Sequence, residues 1–170
     1  MTATFRIEPL GSSHDRKSFS CGVEPLDRYL RELATQDIKR RVSNCFVASE
    51  ASSGAIAGYY TFAAAGLALS ELTPSGAKRL PRHGLLPAGL IGRLAVDTRQ
   101  RGVRLGGAMI MDAVRRATSA DPEIFAIIVD AKDDAVSFYR HLGFRSFMSK
   151  PLSLFLPIAT ALQALTGGET

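Results

Sequence analysis

The chain has 170 residues, a net charge of +5, and 46% apolar against 22% charged residues, the balance of one globular domain large enough to bury a core. Two cysteines, Cys21 and Cys45, are too few for a disulfide framework and stand beside apolar residues as core thiols do. Met1 to Leu10 lacks the basic-then-apolar order of a secretory signal, so the cytoplasm is the expected location, while the positive charge admits an anionic cofactor, nucleic acid or an acidic partner without specifying fold.

In chain order, Thr4 to Glu8 reads as a short strand. Leu26, Tyr29, Leu30, Leu33, Ala34 and Ile38 then form one apolar stripe at helical spacing, with Pro25 in the first turn. Lys39, Arg40 and Arg41 suit the C-terminal end of that helix electrostatically. "NCFVASE" and "GAIAGYYTFAAAG" read as strands joined by the turn "ASSG". Ala51 to Ser70 is uncharged over the length of a membrane span. Its three glycines, its serines and its alternation around Ile56, Gly58, Tyr60 and Phe62 argue for a strand and against a membrane.

Leu69 to Pro87 is proline-rich and basic, a loop with a short helical piece. "AGLIGRLAVD" is the next strand, and a helix follows over Leu105 to Ser119. "EIFAIIVD" has the unbroken apolar run of a strand covered on both faces. Asp133 is placed to cap a short helix ending at His141, closed by Gly143. Strand-like pieces follow near Phe144–Met148 and Leu152–Leu156, then a weak apolar helix in "IATALQALTGGET". The order predicts an α/β fold: a single domain over residues 1–170, with 157–170 as a C-terminal extension. Its mixed sheet has six to seven strands and a central strand–helix–strand unit with a right-handed parallel crossover.

The chemistry gathers at "VDTRQRGVRLGG", where a strand ends and a helix opens. The first amides of a helix have no internal acceptor and bind phosphate oxygens. Gly106 and Gly107 let a diphosphate approach without a Cβ in the way, and Arg101 and Arg104 add attraction. The loop is neither a Walker loop nor a GxGxxG fingerprint, and a tightly packed helix start with solvated arginines fits the same residues. No histidine looks like a base. His14, His83 and His141 are scattered, read as surface residues and lack metal spacing. Asp133 and Asp134 read as a helix start and Asp97 as a strand-end residue. No metal is expected.

The arrangement resembles the GNAT acetyltransferase superfamily, whose loop follows Q/R-x-x-G-x-G/A. Here Val103, Arg104, Leu105, Gly106, Gly107 and Ala108 occupy that hexapeptide, Val103 replacing the usual first residue and Arg104 a frequent glycine. "FSCGVEPLDRYLRELATQD", "CFVA", "IAGYYTFA", "IGRLAVD" and "AVSFYRHLGF", in this order from Phe19 to Phe144, resemble the acetyltransferase toxins of toxin–antitoxin pairs. The resemblance implies a GNAT fold and an N-acetyltransferase that moves acetyl from acetyl-CoA to the α-amine of aminoacyl-tRNA and so blocks translation. It also implies a ribbon-helix-helix antitoxin as partner, and a homodimer is expected.

It implies cofactor contacts by the main chain of Leu94, Ala95 and Val96, on a strand splayed from Ile124–Val129. The loop contacts would come from Arg101, Val103, Arg104, Leu105, Gly106, Gly107 and Ala108. An N–H near Ala95 or Val96 would polarise the thioester carbonyl. Tyr139, matching the family's "FY…GF" tyrosine, would protonate the departing thiolate, as a phenol with pKa near 10 can at neutral pH. Lys39, Arg40, Arg41, Lys78, Arg79, Arg82 and Arg93 would contact tRNA phosphates, positioning the acceptor stem without reading its sequence. Two alternatives remain: a GNAT enzyme for a small amine, a protein N-terminus or a lysine, and a non-catalytic module binding acyl-CoA or nucleic acid.

Overall fold

The computed structural model describes residues 4–78, 80, 84–102 and 104–167. Its strands are β1 (Phe5–Pro9), β2 (Asn44–Glu50), β3 (Ile56–Ala68), β4 (Leu85–Val96), β5 (Ala126–Asp130), β6 (Arg145–Ser146) and β7 (Ser153–Pro157). They form a seven-stranded sheet in the order β1-β2-β3-β4-β5-β7-β6. β4 and β5 pair parallel, while β1/β2, β2/β3, β5/β7 and β6/β7 pair antiparallel. This is the α/β mixed sheet expected from the element order. Two expectations fail locally. Leu85–Pro87, read as loop, already belongs to β4, and the strand sought over Phe144–Met148 shortens to Arg145–Ser146.

The chain folds as two compact units. The first holds Met1–Ala63 and Gly92–Asp112, the second Ala64–Ile91 and Ala113–Thr170. In the first, β1 and β2 pair in register from Phe5↔Glu50 to Pro9↔Phe46. The helical run comprises α1 (Glu24–Arg28), a π-helical turn (Tyr29–Leu33) and α2 (Ala34–Lys39). Its apolar face packs Tyr29, Leu30 and Ala34 with Phe19, Cys21, Cys45, Val47, Ile56, Tyr59 and Ala95. The wide turn inserts a residue into the helical register, so Leu33, read as part of the stripe, turns outward and is 39% exposed. Arg16 serves that turn from outside, donating to Thr35 Oγ1 at 2.6 Å and to the Leu30 carbonyl at 3.4 Å. Burial pushes the thiol of Cys45 up to about 12 and raises that of Cys21, which keeps both as inert core groups.

In the second unit, β5 lies between β4 and β7, paired from Ala88↔Ala126 to Ile91↔Val129 and from Ala126↔Pro157 to Asp130↔Ser153. The unit also holds the short helix α3 (Pro74–Ala77), and its core joins Leu67, Leu72, Leu86, Ala88, Ala126, Ile128 and Phe155. The helix α5 (Val136–His141) is entered by a 3-10 turn at Asp133–Ala135. Asp133 is not its cap: Lys132 stands at the cap of that turn, and neither start has a side-chain cap bond. Gly143 closes α5 with φ +102°, as expected of a residue that must leave the helix. The tail forms α6 (Ile158–Gly167), with Ile158 and Ala161 buried. Among the described residues no helix is long and apolar enough to cross a membrane. The uncharged tract makes the hairpin turn and β3 instead.

Candidate functional site

β4 continues five residues past its last partner on β5, Ile91↔Val129, as Gly92–Val96. This leaves backbone amides and carbonyls of Leu94, Ala95 and Val96 beyond the parallel ladder. Ala95 is buried, while Leu94 and Val96 are half-buried. Gly58 on β3 makes this approach possible: a Cβ there would lie 2.9 Å from the Ala95 carbonyl and 2.9 Å from the Met109 methyl group. Past the strand, Asp97 N–H donates to the Ala57 carbonyl at 2.8 Å and a 3-10 turn follows over Thr98–Gln100.

The helix α4 (Leu105–Thr118) then opens. Its first turn closes with Ala108 N–H on the Arg104 carbonyl at 3.2 Å, so the amides of Leu105, Gly106 and Gly107 precede the helical ladder and lack acceptors within it. Val96, Gln100, Arg101, Gly102, Arg104, Leu105 and Gly106 line a cleft of about 310 Å³ at this point. A Cβ at Gly107 would meet nothing within 4 Å outside the helix's own backbone, so this position has open space around it. Arg104 adopts φ +59°, the left-handed conformation that explains why glycine is frequent there. Ala108 is exposed on the next turn. Val103 lies outside the described residues.

The arginines divide their work in a way charge alone did not reveal. Arg101 lines the cleft but also donates through Nη2 to the Cys21 carbonyl at 2.7 Å. Arg99 turns onto Asp97, with Nε 2.9 Å from Oδ1 and Nη2 3.0 Å from Oδ2. Asp97, read only as a strand-end residue, is 1% exposed. Burial works to raise its pKa, but the Arg99 side chain and the amides of Arg99 and Ser20 prevail and hold it down at about 2.

Tyr139 belongs to the second unit, on α5. Its ring is buried between Phe138 and Phe144, edge-on to both at 5.0 and 5.4 Å. Burial raises its pKa, so the phenol keeps its proton at neutral pH. Its hydroxyl has no hydrogen-bond partner among the described residues, and no buried side-chain oxygen or nitrogen is left unpaired there. The ring is therefore held by packing while the hydroxyl tip reaches solvent, the disposition of a proton donor awaiting an acceptor.

The basic candidates are carried by separate elements. Lys39, Arg40 and Arg41 stand together and exposed at the end of α2, Arg41 with φ +61°. Lys78 is exposed on the loop before β4, and Arg79 and Arg82 lie outside the described residues. Arg93, on β4, has its guanidinium carbon 3.6 Å over the Tyr29 ring, a cation–π placement. Tyr29 in turn donates to Asp37 at 2.8 Å and stacks on Tyr59. His14 is also not a free surface group. Its side chain is 9% exposed, Nε2 lies 2.8 Å from Glu8, and Nδ1 accepts from Gly11 N–H. His141 is exposed, and His83 lies outside the described residues. No group of three or more His, Cys, Asp or Glu side chains among the described residues is placed to hold a metal ion.

Residues 29–152 match the family described as the acetyltransferase (GNAT) domain. The chain is 34% identical over 161 residues to a tRNA-acetylating toxin of Mycobacterium tuberculosis (strain ATCC 25618 / H37Rv), covering 93% of this chain and 94% of that one. Its fold is similar to that of AtaT complexed with acetyl-methionyl-tRNAfMet, with TM-score 0.87, 23% identity, and 96% and 99% of the two chains covered. It is likewise similar to a tyrosine-to-phenylalanine mutant of AtaT bound to the C-terminus of the antitoxin AtaR and acetyl-CoA, with TM-score 0.77, 21% identity, and coverage of 95% and 98%.

Proposed function

The chain belongs to the GNAT acetyltransferase family, among its tRNA-acetylating toxins, and on that premise we propose how its residues divide the work. The protein transfers the acetyl group of acetyl-CoA to the α-amine of an aminoacyl-tRNA, which removes that tRNA from translation. The diphosphate of acetyl-CoA takes the cleft between Val96 and Gly106, held by the amides of Leu105, Gly106 and Gly107 and by Arg101 and Arg104. Val103 and Ala108 complete the loop. The main chain of Leu94, Ala95 and Val96, on the β4 edge beyond the β5 ladder, pairs with the pantetheine amides.

The substrate amine attacks the thioester carbon, forming a C–N bond while the carbonyl electrons move to oxygen. The N–H of Ala95 or Val96 stabilises that oxyanion. On collapse the C–S bond breaks, and Tyr139 gives its phenolic proton to the departing thiolate. The amine's surplus proton goes to water. No strong base is required, because an aminoacyl ester's α-amine is less basic than lysine and is partly neutral near pH 7.

The observation that carries this reading is the cleft at the β4–α4 turn, where unpaired helix amides and two arginine side chains meet. For tRNA we assign Lys39, Arg40, Arg41 and Lys78, together with Arg79 and Arg82, to the phosphate backbone. The antitoxin partner is proposed to be of the ribbon-helix-helix type, the toxin a homodimer, and the place of action the cytoplasm. Labelled acetyl-CoA and charged tRNA test the reaction: label must appear on the aminoacyl group. Tyr139→Phe should lower turnover by about 10²–10⁴-fold with the melting temperature unchanged, since the hydroxyl holds nothing in place. Equal transfer by Tyr139→Phe removes Tyr139 from the mechanism.

A further inference from the structure

The turn after β4 is sewn to the segment that enters α1. Thr98 N–H donates to the Ser20 carbonyl at 2.9 Å, Ser20 N–H to Asp97 Oδ2 at 3.1 Å, Arg99 Nη2 to the Ser18 carbonyl at 3.1 Å, and Arg101 Nη2 to the Cys21 carbonyl at 2.7 Å. Asp97 is the knot. Its Oδ1 accepts from Arg99 N and Nε, both at 2.9 Å, and its Oδ2 from Arg99 Nη2 at 3.0 Å and Ser20 N. A carboxylate offers about four lone-pair sites. Here four donors from two segments fill them.

We infer that Asp97 is a positioning residue for acetyl-CoA, fixing the Thr98–Gln100 turn and the adjoining Arg101 so that the diphosphate meets a preformed wall of the cleft. The inference rests on reading that cleft as the diphosphate site. Gln100 and Arg101 both line it. Gln100 ends the turn that Asp97 caps, with its N–H on the Asp97 carbonyl at 2.9 Å and Nε2 on Glu50 at 3.2 Å. Arg101 reaches the Cys21 carbonyl of the segment that Asp97 ties down through Ser20. Preorganisation of this kind acts on affinity, because a loop that must order on binding spends interaction free energy on its own ordering. Asp97 touches no reacting atom, so its effect belongs to KM for acetyl-CoA and not to the chemical step.

A cap role alone makes a different prediction. Asn caps a helical turn as well as Asp does, so Asp97→Asn would then be nearly silent. The clasp predicts a large effect, since the amide turns two donors toward Arg99 and Ser20, which are themselves donors.

Titration calorimetry with coenzyme A on the full chain, together with initial rates, separates the cases. Asp97→Asn and Arg99→Gln should each raise the Kd for coenzyme A and the KM for acetyl-CoA about tenfold, with kcat at saturating acetyl-CoA within twofold of the parent. Arg99 is largely exposed, with 63% of its side chain accessible, so Arg99→Gln decides the matter if Asp97→Asn does not fold. Asp37→Asn is the structural control: Asp37 accepts from the Tyr29 hydroxyl at 2.8 Å and bonds neither segment of the clasp. Coenzyme A affinity within twofold of the parent for the Asp97 and Arg99 variants, or an equal loss in Asp37→Asn, overturns the inference. Gly107→Val tests the cleft itself. If that variant binds coenzyme A normally, the diphosphate reading fails and the inference falls with it. If it abolishes binding while Asp97→Asn and Arg99→Gln do not, only the clasp is wrong.

Discussion

Replacing Gly107 with Ala should move stability and cofactor affinity in opposite directions. Gly107 is the third residue of α4, and a Cβ built on it meets no atom within 4 Å, so the methyl group costs nothing sterically in the free protein. Alanine removes backbone freedom from the unfolded chain and favours the helix by up to about 1 kcal/mol. In a domain of this size that raises the melting temperature by about 2–4 °C. If the diphosphate binds this helix start as proposed, the same methyl group stands where a phosphate oxygen would approach the Gly107 amide. Displacing a phosphate oxygen from one charge-assisted hydrogen bond costs about 1.5–3 kcal/mol, or about 10- to 150-fold in Kd. Thermal unfolding without ligand reads the first effect and calorimetry with coenzyme A the second. A variant that melts higher and binds coenzyme A as tightly as the parent would mean that the diphosphate does not approach Gly107, and the placement of the cofactor on this turn would be wrong.

Arg104→Gly relieves a left-handed backbone at φ +59° and should stabilise the free protein by about 1 kcal/mol in denaturant unfolding, while removing one cation from the cleft and weakening coenzyme A. Acid should unfold the protein partly through Asp97, whose folded pKa is about 2 against an unfolded value near 4. Its contribution, at most about 2.5 kcal/mol, is complete above the unfolded value and is lost as pH falls from about 4 to about 2. The stability gap between parent and Asp97→Asn should therefore close across that window, and a gap constant down to pH 2 would refute the assignment. Arg93→Met should cost about 1 kcal/mol of stability, because no cation then lies over the Tyr29 ring, and leave the salt dependence of tRNA binding unchanged. Lys39, Arg40 and Arg41 changed together to alanine should flatten that salt dependence by about 0.7–0.9 for each phosphate left without its cation, so an unaltered slope would remove this cluster from the tRNA surface.

Periodicity and punctuation made most of the fold legible. The two-residue alternation and the turn at "ASSG" located β2 and β3, and the apolar run ahead of Asp130 located β5. The helix after the glycine-rich turn was visible from its stripe. What escaped was any feature whose cause lies in tertiary contact. Leu33 satisfies the 3.6-residue spacing, yet the π-helical turn at Tyr29–Leu33 rotates it outward, and nothing local marks the inserted residue. Leu85 and Pro87 look like loop because proline and exposure mark an edge, whereas here they begin β4, with Leu85 68% exposed.

The site shows the same division between local pattern and distant contact. Helix amides and small residues at Gly106 and Gly107 are dictated by the backbone and could be read directly. The destinations of the arginines could not, because a guanidinium five bonds from its Cα can reach a carbonyl far away in sequence. Arg99 and Arg101 are two residues apart in one loop of apparently uniform charge. One neutralises a buried carboxylate that the chain supplies itself, and the other reaches back to Cys21 while still facing the cleft. The formal charge of "TRQRG" therefore overstates what an incoming anion meets. Asp97 has already paired with Arg99, and attraction at the cleft falls to Arg101, Arg104 and the open amides. An anion site built this way draws its selectivity from fixed geometry more than from net charge, because the hydrogen-bond donors are set by a buried clasp and a helix start before the ligand arrives.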